Sequence, residues 1–291
     1  MLSLHPDIVY VHEPFSPLNG RCVCGAHFED WFTYITHENE SLYYEHISKT
    51  LSFDCQYKRK LRSLLNGEDA YLKLRETAYL LKHRFFTHRS RPLMKDPIAL
   101  FSLEWLANSF GADVLILIRH PAAFVNSIVQ AGWKIPFDNL LRQHSLMNGQ
   151  LKSFASDIER FAEIEQGLID QAILFWKIAH HQIATYRDKH QDQWIFIRHE
   201  DIIQNPVEQF RCLYERLSIP FDGRFADIID AHSKDASHDE GVTKDESGSY
   251  ITRDTTAIVR QWSRQLSERD IHYIKEQTDP LWRKYYTEAD W

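Results

Sequence analysis

The sequence predicts an α/β protein, a parallel sheet covered by helices. Three observations point there. Short β-branched runs alternate with long helical patterns along the chain. One of those runs, Val114-Leu115-Ile116-Leu117-Ile118, is apolar on both faces, as in a strand covered from both sides. At 291 residues the chain is long enough for one α/β domain with a large core, and the expectation is a single domain over 1–291.

The elements follow in order. A strand over Ile8 to Val11 runs into His12-Glu13. A helix is expected over Asp69 to Lys82, then a weaker strand over Pro92 to Lys95 that turns at Asp96-Pro97 into a helix over Ile98 to Ser109. The apolar strand Val114 to Ile118 ends at Arg119, and Pro121 opens a helix over Ala122 to Gln130, where a first-turn proline is tolerated. A long helix covers Gln171 to Asp188. The last strand, Trp194 to Ile197, is followed by His199-Glu200-Asp201. Pro206 opens a helix to Leu217, and another spans Glu268 to Glu276. The polar segment His232 to Ser249, with Gly241 and Gly248, reads as a mobile surface loop, either a plain linker or a lid.

Composition narrows the function classes. Lys+Arg 34 against Asp+Glu 41 gives a net charge of −7, which disfavours a broad basic face for duplex nucleic acid while leaving a local anion pocket open. The four cysteines include Cys22 and Cys24 as C-x-C, with Cys55 and Cys212 apart and no C-x-x-C pair. They read as incidental thiols of a reducing compartment. The 16 histidines do not fall at metal-ligand spacing, and no metal is expected. The start, Met1 to Asp7, lacks a basic region and a long apolar run, and no stretch approaches ~18 apolar residues. The expectation is a cytoplasmic protein without a membrane span.

Walker-type, dinucleotide-binding, zincin and nucleophile-elbow motifs are absent. What remains is a set of charged residues at predicted strand ends: Glu13, Lys95, Arg119 and the run His199-Glu200-Asp201. Ligands of open α/β sheets sit beyond the carboxyl ends of the strands. A carboxylate, a lysine and an arginine on one rim suit an anionic donor and an acceptor that loses a proton. The alternative is a set of rim salt bridges and helix caps, with Asp96 and Asp201 as caps.

At these residues the sequence resembles the sulfotransferase family, which uses 3′-phosphoadenosine 5′-phosphosulfate as donor. Arg119-His120-Pro121 through Ser127 resembles its 3′-phosphate segment. Lys95-Asp96-Pro97 with Glu104-Trp105-Leu106-Ala107 resembles its K-D-P strand end and following helix, in the manner of bacterial and tyrosylprotein sulfotransferases. Ile197 to Asp201 through Asn205-Pro206 resembles the Y-E-D strand, with His199 for the usual tyrosine. Trp262-Ser263-Arg264-Gln265-Leu266-Ser267 resembles the W-R-x-x-L-S element.

The resemblance implies a P-loop-NTPase-like parallel sheet flanked by helices. The family's first strand and its R-S-G-T-T-like phosphosulfate loop have no counterpart before His5-Pro6-Asp7, which is expected to reflect a shortened start or a non-catalytic relative. Roles follow by position. Glu13 is the implied base, with Asp96 as the other candidate, and Lys95 stabilises charge on the transferring sulfuryl group. Arg119, Ser127 and, on loop closure, Arg253 hold the 3′-phosphate. His199 is placed either against the adenine or as a structural residue, and Trp133 and Trp176 either at an acceptor pocket or in helix packing. The implied activity is sulfuryl transfer to a hydroxyl or amine of a small molecule, carbohydrate, lipid or peptide. The other reading is a non-catalytic nucleotide-binding protein.

Overall fold

The computed structural model describes residues 1–18, 26–53, 90–234, 243–244, 250–251 and 260–291. They fall into two compact units, one of Leu2–Ala112 with Asp138–Lys152, the other of Met1, Asp113–Phe137 and Ser153–Trp291. The architecture is α/β, with small parallel strand pairs flanked by helices.

In the first unit, strand β1 (Ile8–His12) precedes helix α1 (Tyr44–Leu51), strand β2 (Arg91–Lys95) and helix α2 (Leu103–Phe110). β1 and β2 are parallel, with Ile8 opposite Arg91 and His12 opposite Lys95. Parallel pairing brings both carboxyl ends to one edge, so the register carries Glu13 and Lys95 to the same place. Beneath them, Phe15, Phe28, Ile35, Ile47, Ile98 and Trp105 pack as one buried cluster. Phe28 stacks between Phe15 and Tyr43 at 4.7 and 5.0 Å. The predicted helix over 69–82 lies outside the described residues.

In the second unit, strand β3 (Leu115–Ile118) leads into helix α3 (Pro121–Ala131), and helix α4 (Leu168–His190) leads into strand β4 (Ile195–Arg198). Helices α5 (His199–Gln204), α6 (Pro206–Arg216) and α7 (Glu268–Thr278) follow. β3 and β4 are parallel, with Ile118 opposite Arg198. Ile116 and Ile118 are buried, whereas Leu117 is 51% exposed, so β3 is covered on one face rather than on the two its composition predicts. Successive side chains leave a strand on opposite sides: the isoleucine side is buried, while on the other side Leu115 is half-buried and Leu117 exposed.

Helix α3 shows why the local sequence stops where it does. Pro121 takes the first helical position, where its missing N–H costs nothing. At the other end Gly132 sits at φ 65°, and the N–H groups of Gly132 and Trp133 close on Val129 and Ile128. Its small apolar face, Ala122, Ala123, Val125 and Ile128, packs in one cluster with Ala172 and Ile173 of α4 and Ile274 of α7.

The helix Gly223–Lys234 takes in the first residues of the predicted polar loop, since Ala231-His232-Ser233-Lys234 contains no helix breaker. Thr243–Lys244 pairs antiparallel with Tyr250–Ile251, and the rest of the 232–249 segment lies outside the described residues. Among the described residues, no helix is long and apolar enough to cross a membrane.

Candidate active site

The first group of predicted residues gathers at the ends of β1 and β2. The Glu13 N–H donates to the Lys95 carbonyl at 3.0 Å, extending the strand pairing by one step. Lys95 Nζ donates to Glu13 Oε1 at 2.5 Å, and His12 Nε2 lies 3.9 Å from Oε2. Glu13 holds a left-handed backbone conformation at φ 38°, unusual for a residue with a side chain. It opens a turn in which the Ser16 N–H donates to the Glu13 carbonyl at 3.1 Å.

Asp96 sits one residue beyond Lys95 and caps the following 3₁₀ segment Pro97–Ser102. Its Oδ1 accepts the Ile98 N–H at 3.0 Å and its Oδ2 the Phe15 N–H at 2.8 Å. Burial of this carboxyl pushes its pKa up to about 7. The backbone N–H groups pull the other way but do not offset desolvation. Asp96 therefore ties the turn after Glu13 to the end of β2, a role that capping alone does not describe. Tyr10, beside the pair, has its phenol pKa raised chiefly by desolvation, and its hydroxyl shares a hydrogen bond with His12 Nδ1 at 3.1 Å.

The second group lies in the other unit, at the ends of β3 and β4. The Arg119 carbonyl accepts the Trp176 indole N–H at 2.9 Å, which pins the end of β3 to α4. Arg119 Nε is buried and makes no hydrogen bond. Burial lowers the proton affinity of this guanidinium, and nearby Glu200 opposes that effect. His120 caps α3, and its backbone N–H donates to Glu200 Oε1 at 3.0 Å. Glu200 Oε2 accepts the Tyr286 hydroxyl at 2.9 Å, so one buried carboxylate holds both the start of α3 and the C-terminal segment.

The imidazole of His120 stacks on Trp262 at 5.0 Å and meets Tyr286 and Trp291 edge-on at 4.9 and 4.3 Å. Both ring nitrogens are buried without partners, and desolvation holds the pKa down to about 3. His199 is half-buried, and its pKa is lowered first by desolvation and then by Arg119. Ser127 is half-buried two turns along α3, and its hydroxyl makes no hydrogen bond among the described residues.

The structure thus brings Glu13, Lys95 and Asp96 together in one unit, and Arg119, His199 and Glu200 in the other. Arg253 lies outside the described residues, as do Cys22, Cys24 and Cys55. Trp176 is fully buried and stacks on His180 at 4.0 Å, which is packing. Trp133 is 58% exposed. Asp201 is not a helix cap: it pairs with the Arg198 guanidinium, accepting Nε–H at 2.9 to 3.0 Å. Tyr286 and the aromatic cage of His120 belong to the site without a motif of their own; the signal for them in the sequence is the density of aromatic residues near the chain end. No group of three or more His, Cys, Asp or Glu placed to hold a metal occurs among the described residues.

By charge and position an anionic group suits Arg119, whose Nε is buried without a partner among the described residues and which stands at a strand end one residue before a helix N-terminus. Comparison with known proteins gives little further. No protein-family model matches the chain, and no curated protein matches it. Among solved structures, the sulfotransferase domain from the curacin biosynthetic pathway aligns over 93% of this chain and 96% of that one, with a TM-score of 0.40 and 13% identity.

Proposed function

We propose that this protein transfers a sulfuryl group from 3′-phosphoadenosine 5′-phosphosulfate to a hydroxyl or amine acceptor, as a single sulfotransferase domain. One observation carries the reading: the Glu13 carboxylate, held at a left-handed backbone against the Lys95 ammonium at the carboxyl ends of two parallel strands. A salt bridge this exposed contributes only about 0–1 kcal/mol, while a left-handed backbone on a residue with a side chain costs roughly 1–2 kcal/mol. The hydrogen bonds of the turn, from Glu13 N–H to Lys95, Ser16 N–H to Glu13 and Phe15 N–H to Asp96, hold the strain in place. What it positions is a carboxylate base beside a cation able to stabilise developing negative charge.

In the proposed step, an acceptor oxygen forms a bond to sulfur as the bond from sulfur to the bridging phosphate oxygen breaks. Glu13 takes the acceptor proton. Lys95 turns from Glu13 toward the bridging oxygen and stabilises the negative charge that develops there. Arg119 and Ser127 bind the 3′-phosphate, and a planar guanidinium suits that group. Arg253 adds a further contact from its own segment.

Two measurements test this. Sulfuryl transfer from labelled donor to a panel of hydroxyl and amine acceptors should be detectable, in this chain or in a form extended by in-frame upstream codons. Calorimetric titration with 3′-phosphoadenosine 5′-phosphate should show that Arg119→Ala weakens binding by roughly 2–4 kcal/mol. Nucleotide binding without transfer in either form would support a non-catalytic binding protein. Equal affinity in a folded Arg119→Ala variant would remove Arg119 from the site.

A further inference from the structure

Among the described residues of this acidic chain a strongly basic cavity is present, and the proposed activity leaves it unused. It lies in the second unit, beside β4, α6 and the C-terminal segment, with a volume of about 380 Å³. That volume is enough for a small organic molecule. Its walls include Ile118, Ile195, Leu213 and Tyr285, all buried. Four cations line it, Arg187, Arg198, Arg216 and Lys284, against a single carboxylate, Asp201.

That carboxylate is already committed. Asp201 binds the Arg198 guanidinium through both oxygens, and Arg198 also reaches Asp290. Among the described residues the other three cations have no carboxylate partner. Arg187 donates to the Lys284 carbonyl at 3.2 Å and lies over the Tyr285 ring at 4.9 Å. Arg216 donates to the Trp194 carbonyl at 3.3 Å. Each guanidinium is thus held in place by a neutral group while its charge stays uncompensated. Placing like charges around one cavity is unfavourable unless an anion joins them. The apolar walls add a second requirement, since inorganic anions leave that surface wet.

We propose that this cavity binds an amphipathic organic anion, with a carboxylate, phosphate or sulfate head on Arg187, Arg216 and Lys284 and an aliphatic or aromatic body against Ile118, Ile195 and Leu213. Such fixed guanidinium groups suit planar and tetrahedral oxyanions alike. The proposal does not depend on sulfuryl transfer.

Cys212 lines the same cavity and is exposed, so it reports occupancy. The experiment compares octanoate, octan-1-ol and octylammonium as probes, three heads on one tail, with inorganic phosphate as the head alone. Binding is read by calorimetry and by the alkylation rate of Cys212, resolved by peptide mass. Octanoate should bind with one-to-one stoichiometry and slow alkylation at Cys212, and the other three should bind at least tenfold more weakly. Arg216→Gln should weaken octanoate binding roughly 10- to 100-fold. Lys284→Gln, at an exposed position without a side-chain partner, should weaken it severalfold with no risk to folding. Equal binding of all three heads, affinity for phosphate alone equal to that for octanoate, or unchanged octanoate affinity in the folded Lys284→Gln and Arg216→Gln variants would each overturn the proposal. So would octanoate binding that leaves Cys212 alkylation untouched.

Discussion

Replacing His120 with phenylalanine should make the protein markedly less sensitive to acid. The buried imidazole is stacked on Trp262, has no partner for either nitrogen and is held neutral, with its pKa pushed from 6.5 to about 3. Of the described residues facing it, Asp290 favours its protonation, while Arg198, Arg260 and Lys275 oppose it. His180, buried on Trp176, is likewise held down to about 3 by desolvation. A histidine whose folded pKa is depressed contributes stability that is complete above the unfolded value and is lost as pH falls. Between pH 7 and pH 5 each of these two should lose about 2 kcal/mol, so about 4 kcal/mol together. His120→Phe keeps the aromatic stack and removes two unsatisfied buried atoms, so stability at pH 7 should hold or rise. Asp96 shifts stability the other way over the same window. The quantity to read is therefore the difference between His120→Phe and wild type, which should move in favour of the variant by about 2 kcal/mol from pH 7 to pH 5. Urea unfolding at pH 7, 6 and 5 reads this directly. An identical pH dependence in wild type and His120→Phe would refute the claim that His120 is buried neutral.

Two further substitutions probe the groups that hold the site. Asp96, with its folded pKa raised to about 7, contributes stability that is complete below its unfolded value near 3.8 and is lost as pH rises through 7. Asp96→Asn should therefore cost most against wild type at pH 4 to 5 and least at pH 8, measured as the difference in unfolding free energy at each pH. Glu200→Ala leaves the His120 N–H and the Tyr286 hydroxyl without an acceptor and should cost about 2–4 kcal/mol. Glu200→Gln, which keeps one carbonyl oxygen, should cost less in the same denaturation assay.

Much of the fold was legible because its elements have local causes. The four parallel strand positions and helices α3, α4, α6 and α7 were set by apolar periodicity and by prolines at first turns, as at Pro121 and Pro206, whereas the helices Ala155–Glu163, His199–Gln204 and Gly223–Lys234 were not read. Leu117 misled, because an apolar run states a preference for burial and not whether a neighbour covers it. In the site, Glu13, Lys95 and Arg119 could be found as charged residues at strand ends. Two features could not. The left-handed backbone at Glu13 has no glycine or asparagine to announce it. The Glu200 bridge joins groups 80 and 86 residues apart, a distance that local patterns do not span. Asp96 was legible as a cap before Pro97, but its second bond, to Phe15 across 81 residues, appears only once the strands pair.

The central claim is that Glu13 takes the acceptor proton, and Glu13→Gln tests it most directly. The amide keeps the size of the side chain and can still accept from Lys95, but it has no useful proton affinity. The measurement is the rate of sulfuryl transfer from labelled donor, made on the shortest form of the chain that turns over, alongside calorimetric binding of 3′-phosphoadenosine 5′-phosphate. The account predicts that turnover falls by roughly 10²- to 10⁴-fold while nucleotide affinity is preserved. Unchanged turnover in a folded Glu13→Gln variant would contradict it and move the base to Asp96 or to another group.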